Sequence, residues 1–197
     1  MEIGTASTNA LPVGVKRVFG NECISILCKT PIWNMSSLIA LWFAPIPVLL
    51  EPQKNGGQSA QALGRSRGGF STKIHVSVDG LGNPLRFELT AGQRHDITQA
   101  QALIADFETE HVIADKGYDS AAFLQSILNR GALPVIPPRS NLKTMRDYDR
   151  HLYRERHLVE CFINKIKHYR HIFSRFDKLS SRFLGFLNFV GALIWLK

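Results

Sequence analysis

Four side chains between residues 150 and 170 have types and spacing that could do chemistry on a phosphate ester. Tyr153, Arg156, Glu160 and Lys167 are offset by 0, 3, 7 and 14 residues. On an α-helix these offsets place all four within a stripe about 60° wide. Arg and Lys can bind phosphate oxygens and Glu can hold a cation. Ordinary ion pairing between Arg156 and Glu160 on a helix surface gives the same pattern.

Asp115 adds a second carboxylate. It follows the short apolar run His111–Ala114, which predicts a buried strand, and precedes the sequence Lys-Gly-Tyr-Asp. Strand ends of open α/β sheets are where ligands bind, and a strand-end Asp with a helical Glu suits Mg²⁺-dependent phosphoryl transfer. The alternative is a cap for the following helix, a role that Asp119 or Ser120 could also fill.

The elements that must position these residues follow from hydrophobic periodicity. An alternating pair of strands joined by an Asp-Gly turn is followed by helices and short apolar strands in alternation. This order predicts a mixed α/β sheet. The predicted strands are 71–78, 85–89, 111–114 and 134–137, and the predicted helices are 97–107, 120–129, 150–172 and 181–196.

The positive charge of the chain is concentrated in one stretch. The 197 residues carry a formal net charge of +8, and residues 139–182 hold twelve basic and five acidic groups. Such a patch indicates a polyanionic partner, most simply nucleic acid, although a solvated helix face is the alternative. Three cysteines exclude a small disulfide scaffold and predict a reducing, cytoplasmic compartment. Cys23 and Cys28 have no matching second pair, which argues against a zinc site.

Five motifs in order resemble insertion-sequence transposases of the DDE class. They read GRSRGGFSTKIHVSVDGLGNP, LTAGQRHD, VIADKGYDS, PVIPPRSN and YRERHLVECFINKIKHYR, and the resemblance covers about residues 53–197. It implies a ribonuclease-H-like fold and cleavage and joining of DNA strands that depends on Mg²⁺ (or Mn²⁺). It also implies transposon ends and target DNA as partners, self-association on DNA, and no membrane.

The resemblance assigns roles to single residues. Asp115 matches the second catalytic carboxylate and Glu160 the third, both as metal ligands. His95 and Asp96 match a motif without a derived role, for which a turn or cap is the alternative. The resemblance implies DNA contacts at five residues: Tyr153, Arg156, Lys167, Arg65 and Arg67.

The first catalytic Asp of this family is missing, because residues 1–52 contain no aspartate. We therefore expect an unmatched, out-of-frame segment 1–52, a basic loop 53–70, and the C-terminal part of a catalytic domain over 71–197, without its central strand. In an alternative reading frame, permitted codons spell the missing strand, and its Asp codon overlaps those of Leu38 and Ile39. Asp79 is a poor substitute because it lies in a predicted hairpin turn.

These observations predict a truncated, inactive transposase. The alternatives are a non-catalytic DNA-binding remnant, the downstream half of a transposase made by translational frameshifting, and a protein tethered to a membrane through the apolar run 38–50. Prolines at positions 45 and 47 interrupt that run, which argues against a membrane span. If residues 46–50 instead occupied the place of the missing strand, the same prolines would make it a poor central strand.

Overall fold

The structure is a computed structural model that describes residues 35–43, 57–66, 69–140 and 146–196. For residues 35–43 it gives the strand path and its pairing. Arg67, the segment 46–50, and Cys23 with Cys28 lie outside the described residues.

The centre of the sheet is the strand β1, Met35–Phe43. It pairs antiparallel with β3 (Gly69–Val78) and parallel with β5 (His111–Ala114), which in turn pairs parallel with β6 (Leu133–Val135). An uncharged, largely apolar run is typical of a strand buried on both faces. The expectation that the central strand is lost is therefore wrong, because an apolar segment upstream of both prolines occupies its place.

The other flank of the sheet is antiparallel. β3 forms a hairpin with β4 (Pro84–Ala91), and the short strand β2 (Gly64–Ser66) pairs with the first residues of β3. The helical turn α1, Gly57–Ala60, precedes β2. The segment predicted as a basic loop thus contains a helical turn and a strand.

The remaining elements are helical. Two 3₁₀ turns, Asp96–Gln99 and Lys116–Tyr118, flank the strand end where Asp115 lies. The segment predicted as one helix over 150–172 is divided, because the 3₁₀ turn Arg154–Arg156 interrupts it and Tyr169 is extended. The α-helices are α2 (Ala100–Ile104), α3 (Ala121–Asn129), α4 (Arg150–Tyr153), α5 (His157–Lys167), α6 (Arg170–Phe173) and α7 (Ser180–Trp195).

The sheet is covered on both faces. Ile74, Val76 and Val78 of β3 pack with apolar residues of α5 and α7 in one core cluster. On the other face, α2 and α3 pack with β5 in a second cluster that includes Tyr118. Helix α7 approaches β4 closely at Gly191, where an added Cβ would lie 3.1 Å from the Phe87 ring. Among the described residues, no helix is long and apolar enough to cross a membrane.

Candidate active site

Asp115 lies at the carboxyl end of β5. Its side chain is half-buried, and its Oδ1 accepts a hydrogen bond from the Lys116 backbone N–H at 2.8 Å. The carboxylate therefore caps the 3₁₀ turn Lys116–Tyr118. The capping alternative is thus realised in part, but at this short turn and not at α3, whose N-cap is Ser120.

Tyr153 and Arg156 connect Asp115 to Glu160. The Tyr153 phenol lies near the Asp115 carboxylate, and the Arg156 guanidinium lies 5.8 Å from the centre of the Tyr153 ring. Arg156 Nη2 then donates to Glu160 Oε1 at 2.7 Å. The structure therefore brings four of the predicted site residues into one series of neighbouring side chains, which the ion-pair alternative alone does not explain.

Burial raises the pKa of the Tyr153 phenol. The Arg156 charge opposes this shift, and the nearby Asp115 carboxylate adds to it. Because its pKa is raised above the usual 10, the phenol stays protonated at neutral pH and can donate a hydrogen bond. Tyr148 packs edge-on against the Tyr153 ring at 5.5 Å, which restricts the orientation of the phenol.

The other predicted DNA-contact residues lie farther from this series. Lys167 is exposed at the end of α5, seven residues beyond Glu160, or about 10 Å along the helix. Arg65 is exposed on β2, which β3 and β1 separate from β5 in the sheet order. The structure places Lys167 on the helix that carries Glu160 and Arg65 on the opposite flank of the sheet.

The register of β1 shows which position lies beside Asp115. Leu38 is the parallel partner of Ala114, so position 39 is the next along β1, next to position 115. In the antiparallel ladder Ile39 is opposite Val76, which packs in the cluster with α5. Directly opposed residues share a sheet face, and position 39 therefore lies on the face covered by α5, the helix that carries Glu160.

The described residues do not form a complete metal site. Across the described ranges, no group of three His, Cys, Asp or Glu side chains could hold a metal ion. Of the nearby carboxylates, Asp96 pairs with Lys73 and Asp119 with Arg146, and Arg156 engages Glu160. Asp79 does not compensate, because its buried carboxylate accepts hydrogen bonds from the Leu81 and Asn83 N–H groups of its own hairpin. The two-metal arrangement implied by the resemblance does not fit this set.

Two arginines beside the Asp115 turn were not assigned a role from the sequence. The Arg139 guanidinium donates to the Gly117 carbonyl at 3.1 Å, and Arg146 donates to Asp119 Oδ1 at 3.1 Å. Asp119 is buried and also accepts from the Arg139 backbone N–H at 2.8 Å. Arg139 lies in the quoted motif PVIPPRSN, but only the folded chain shows that it lies against the turn after Asp115.

Polar residues also fill the sheet face beneath this turn. His75 is fully buried, with Nε2 2.8 Å from Thr90 Oγ1 and Nδ1 3.5 Å from the Tyr118 hydroxyl. Burial lowers the pKa of His75 from 6.5 to about 4, and the nearby Lys73 charge adds to the shift while Asp96 opposes it. The imidazole is therefore neutral in the folded protein at neutral pH.

This shift predicts a loss of stability in mild acid. The unfolded chain takes up a proton on His75 below pH 6.5, and the folded chain does so only near pH 4. Stability should therefore fall as the pH falls, by about 2 kcal/mol between pH 7 and pH 5. Urea unfolding at both pH values measures this, with His75→Gln as the variant that lacks the titration. Equal pH dependence in the two proteins would contradict the assignment.

The fold is a mixed sheet with the candidate site at one edge. In this site, Tyr153 and Arg156 lie between Asp115 at a strand end and Glu160 on a helix. Residues 48–187 match the family model of the transposase DDE domain. This match covers well over half of the chain, and the chain therefore belongs to the family of DDE-domain transposases of insertion sequences.

Individual relatives agree with this assignment. The chain is 42% identical to a putative transposase for insertion sequence element IS6501 from Brucella ovis, over 65% of this chain and 100% of the relative. It is 29% identical to a putative transposase for insertion sequence element IS402 from Burkholderia cepacia, over 62% of each chain. A piggyBac transposase synaptic complex with hairpin DNA superposes with a TM-score of 0.38 at 12% identity, covering 57% of this chain and 24% of that one, too distant to carry any argument.

Proposed function

We propose that this chain is a DNA-binding domain of an insertion-sequence transposase, with a ribonuclease-H-like fold, that holds the ends of its element. The observation that carries the proposal is the series of neighbouring side chains Asp115, Tyr153, Arg156 and Glu160 at the carboxyl edge of β5. A sheet whose antiparallel strands β4, β3 and β1 continue into the parallel strands β5 and β6 supports the fold assignment.

Cations around this series supply the DNA affinity. Lys116, Arg139 and Lys167 are exposed, and Arg156 is partly exposed. Arg forks bind phosphate oxygens in pairs, and exposed Lys adds a point charge. Most of the affinity of such a surface comes from phosphate contacts and is therefore salt-dependent. The strand-end carboxylate and the Tyr153 phenol lie among these cations, where a phosphodiester would be held.

The native chain is proposed to bind DNA without cutting it. Position 39, beside Asp115 and on the α5 face, is Ile, so the site lacks a carboxylate there. Without it, Glu160 keeps its ion pair with Arg156, and the residues at this edge bind and orient DNA only. We therefore propose Mg²⁺-dependent strand cleavage for the family, but not for this chain.

In a second candidate function, the active enzyme is a fusion protein made by translational frameshifting. This chain then shares the downstream part of that enzyme. The observation favouring it is that the alternative-frame Asp codon overlaps codons 38 and 39, the position that the register places beside Asp115. Self-association on the paired ends of the element is proposed for either form.

Salt-dependent binding tests the proposal. We expect the full chain to bind duplexes tiling the DNA that flanks its gene, and Arg156→Ala and Lys167→Ala each to reduce the salt slope by about 1. Arg130→Ala is the matched control, because it removes a charge at the end of α3, opposite the Asp115 edge. Fluorescence anisotropy at several salt concentrations measures these slopes. Identical slopes for all variants would contradict a DNA surface along α5.

A further inference from the structure

Asp96, from the motif pair His95–Asp96, holds a buried cation. Its Oδ1 lies 2.7 Å from Lys73 Nζ, which also donates to the Arg94 carbonyl at 2.8 Å. The Lys73 side chain is only 5% exposed, and a polar group this buried is stable only with hydrogen-bond or ion-pair partners. The pair therefore fixes the Asp96 carboxylate at one position beneath the carboxyl edge of the sheet.

The second oxygen of Asp96 faces the turn that follows Asp115. A Cβ added to Gly117 would lie 3.3 Å from Asp96 Oδ2, closer than nearly all ordinary Cβ contacts. The next residue, Tyr118, is buried, and its hydroxyl is 3.5 Å from His75 Nδ1. The turn is thus seated against a polar layer that Asp96 and Lys73 hold in place.

The same turn sets the orientation of Asp115. The Tyr118 backbone N–H donates to the Asp115 carbonyl at 2.9 Å, and the Lys116 N–H donates to its carboxylate at 2.8 Å. From the outside, Arg139 contacts the Gly117 carbonyl. A displacement of Gly117 therefore moves the amide that orients the Asp115 carboxylate.

We propose that Asp96 is a positioning residue for Asp115, acting through Gly117 and anchored by Lys73. The inference rests on the proposed function, in which Asp115 is the strand-end carboxylate of the site. It gives Asp96 a role at the site, in addition to the turn or cap that the sequence suggests for the His95–Asp96 motif. Asp96 does not touch DNA in this account; it fixes the direction in which Asp115 points.

Amide hydrogen exchange on the full chain tests the positioning directly. We expect Asp96→Ala to accelerate exchange of the Tyr118 and Asp119 amides by at least about tenfold, while core amides of α5 and α7 are unchanged. Asp96→Asn should have a smaller effect, because it keeps the shape and one acceptor for Lys73. The matched control is Asp106→Ala, which removes a surface carboxylate paired with Arg86. Unchanged exchange at residues 118 and 119, or uniform acceleration of the whole core, would overturn the proposal.

A double-mutant cycle separates direct contact from general destabilisation. Gly117→Ala should also accelerate exchange in this turn, and its combination with Asp96→Ala should be no worse than the more severe single variant. Additive effects would show that the two residues act independently and would overturn the contact.

A rate measurement extends the test to function. In an Ile39→Asp chain, Asp96→Ala should slow single-turnover nicking about tenfold without changing the affinity for DNA. An unchanged rate, or a loss of affinity instead, would overturn the positioning role. If the Ile39→Asp chain does not nick DNA at all, the view that Ile39 alone leaves the site incomplete fails, and the exchange pattern still decides the inference about Asp96.

Discussion

Ile39→Asp should convert a chain that only binds DNA into one that nicks it in the presence of Mg²⁺. The register of β1 places position 39 next to position 115, at a strand position that shares its sheet face with Val76 and therefore with the Glu160 helix. A third carboxylate there would complete the donor set that a hard divalent cation requires. We expect nicking of end DNA at least about 100-fold above the native chain, equivalent to about 2.7 kcal/mol of barrier.

Neighbouring substitutions provide the controls for this gain. Leu38→Asp places the carboxylate one residue earlier and therefore on the other face of the strand, where no nicking is expected. Ile39→Asn tests whether position 39 tolerates a polar side chain without a charge. Adding Asp115→Asn to the Ile39→Asp chain should abolish the gained activity. Nicking of a supercoiled plasmid carrying the flanking DNA measures all four variants. Equal nicking by the Leu38→Asp and Ile39→Asp chains would contradict the assigned register.

Arg175→Met should cause the largest loss of stability from a single side chain. The fully buried Arg175 guanidinium donates to the carbonyls of Gln61, Asp177 and Lys178 and to Thr72 Oγ1 at 2.6 Å. Burial lowers its pKa to about 10, so it remains a cation at neutral pH. It joins the segment before β2 to the loop before α7, and its removal takes the Arg175 donors away from three partly buried carbonyls and from the buried Thr72 hydroxyl.

The expected cost is about 3 kcal/mol, because each buried acceptor left without a donor costs about 1–3 kcal/mol and removing a desolvated charge offsets part of this. For a chain of this size that corresponds to a fall of roughly 10 °C in Tm. Arg182→Met is the matched control, since Arg182 is exposed in the first turn of α7. Thermal unfolding followed by circular dichroism measures both. Equal midpoints for the two variants would show that the buried contacts do not carry this stability.

Much of the sheet could be predicted from the sequence. The hairpin strands and the strand His111–Ala114 follow from alternation and from short apolar runs bounded by turn residues, and the structure places all three where the pattern does. Helix α7 follows equally well, because its apolar content exceeds that of an exposed helix. These elements depend on local signals that their own residues carry.

The central strand could not be predicted, because its apolar run alone does not distinguish a buried strand from other apolar segments. Met35–Phe43 shows no alternation, and the resemblance points to an Asp that the segment does not have. Its position is decided by tertiary pairing, since β3 and β5 both present backbone groups that need partners. In the alternative reading frame the Asp codon would overlap codons 38 and 39, and the register places position 39 next to position 115. The nucleotide sequence of codons 33–52 would test this prediction.

The residue types of the candidate site could be predicted from the sequence, but the arrangement of these residues in space could not. Helical periodicity placed Tyr153, Arg156 and Glu160 on one stripe, and the structure joins them through direct contacts. The proximity of Tyr153 to Asp115, and of Asp96 to the turn after Asp115, joins elements that are far apart in the sequence. No periodicity within one element carries that information.

The most direct test of the account is the binding of the native full chain to the end DNA of its element in EDTA, followed by the addition of Mg²⁺. The account predicts tighter binding to the flanking DNA than to a scrambled duplex of equal length, with no strand cleavage after Mg²⁺ is added. Equal affinity for both duplexes would contradict the proposed end-binding role. Mg²⁺-dependent nicking by the native chain would contradict the claim that Ile39 leaves the site incomplete.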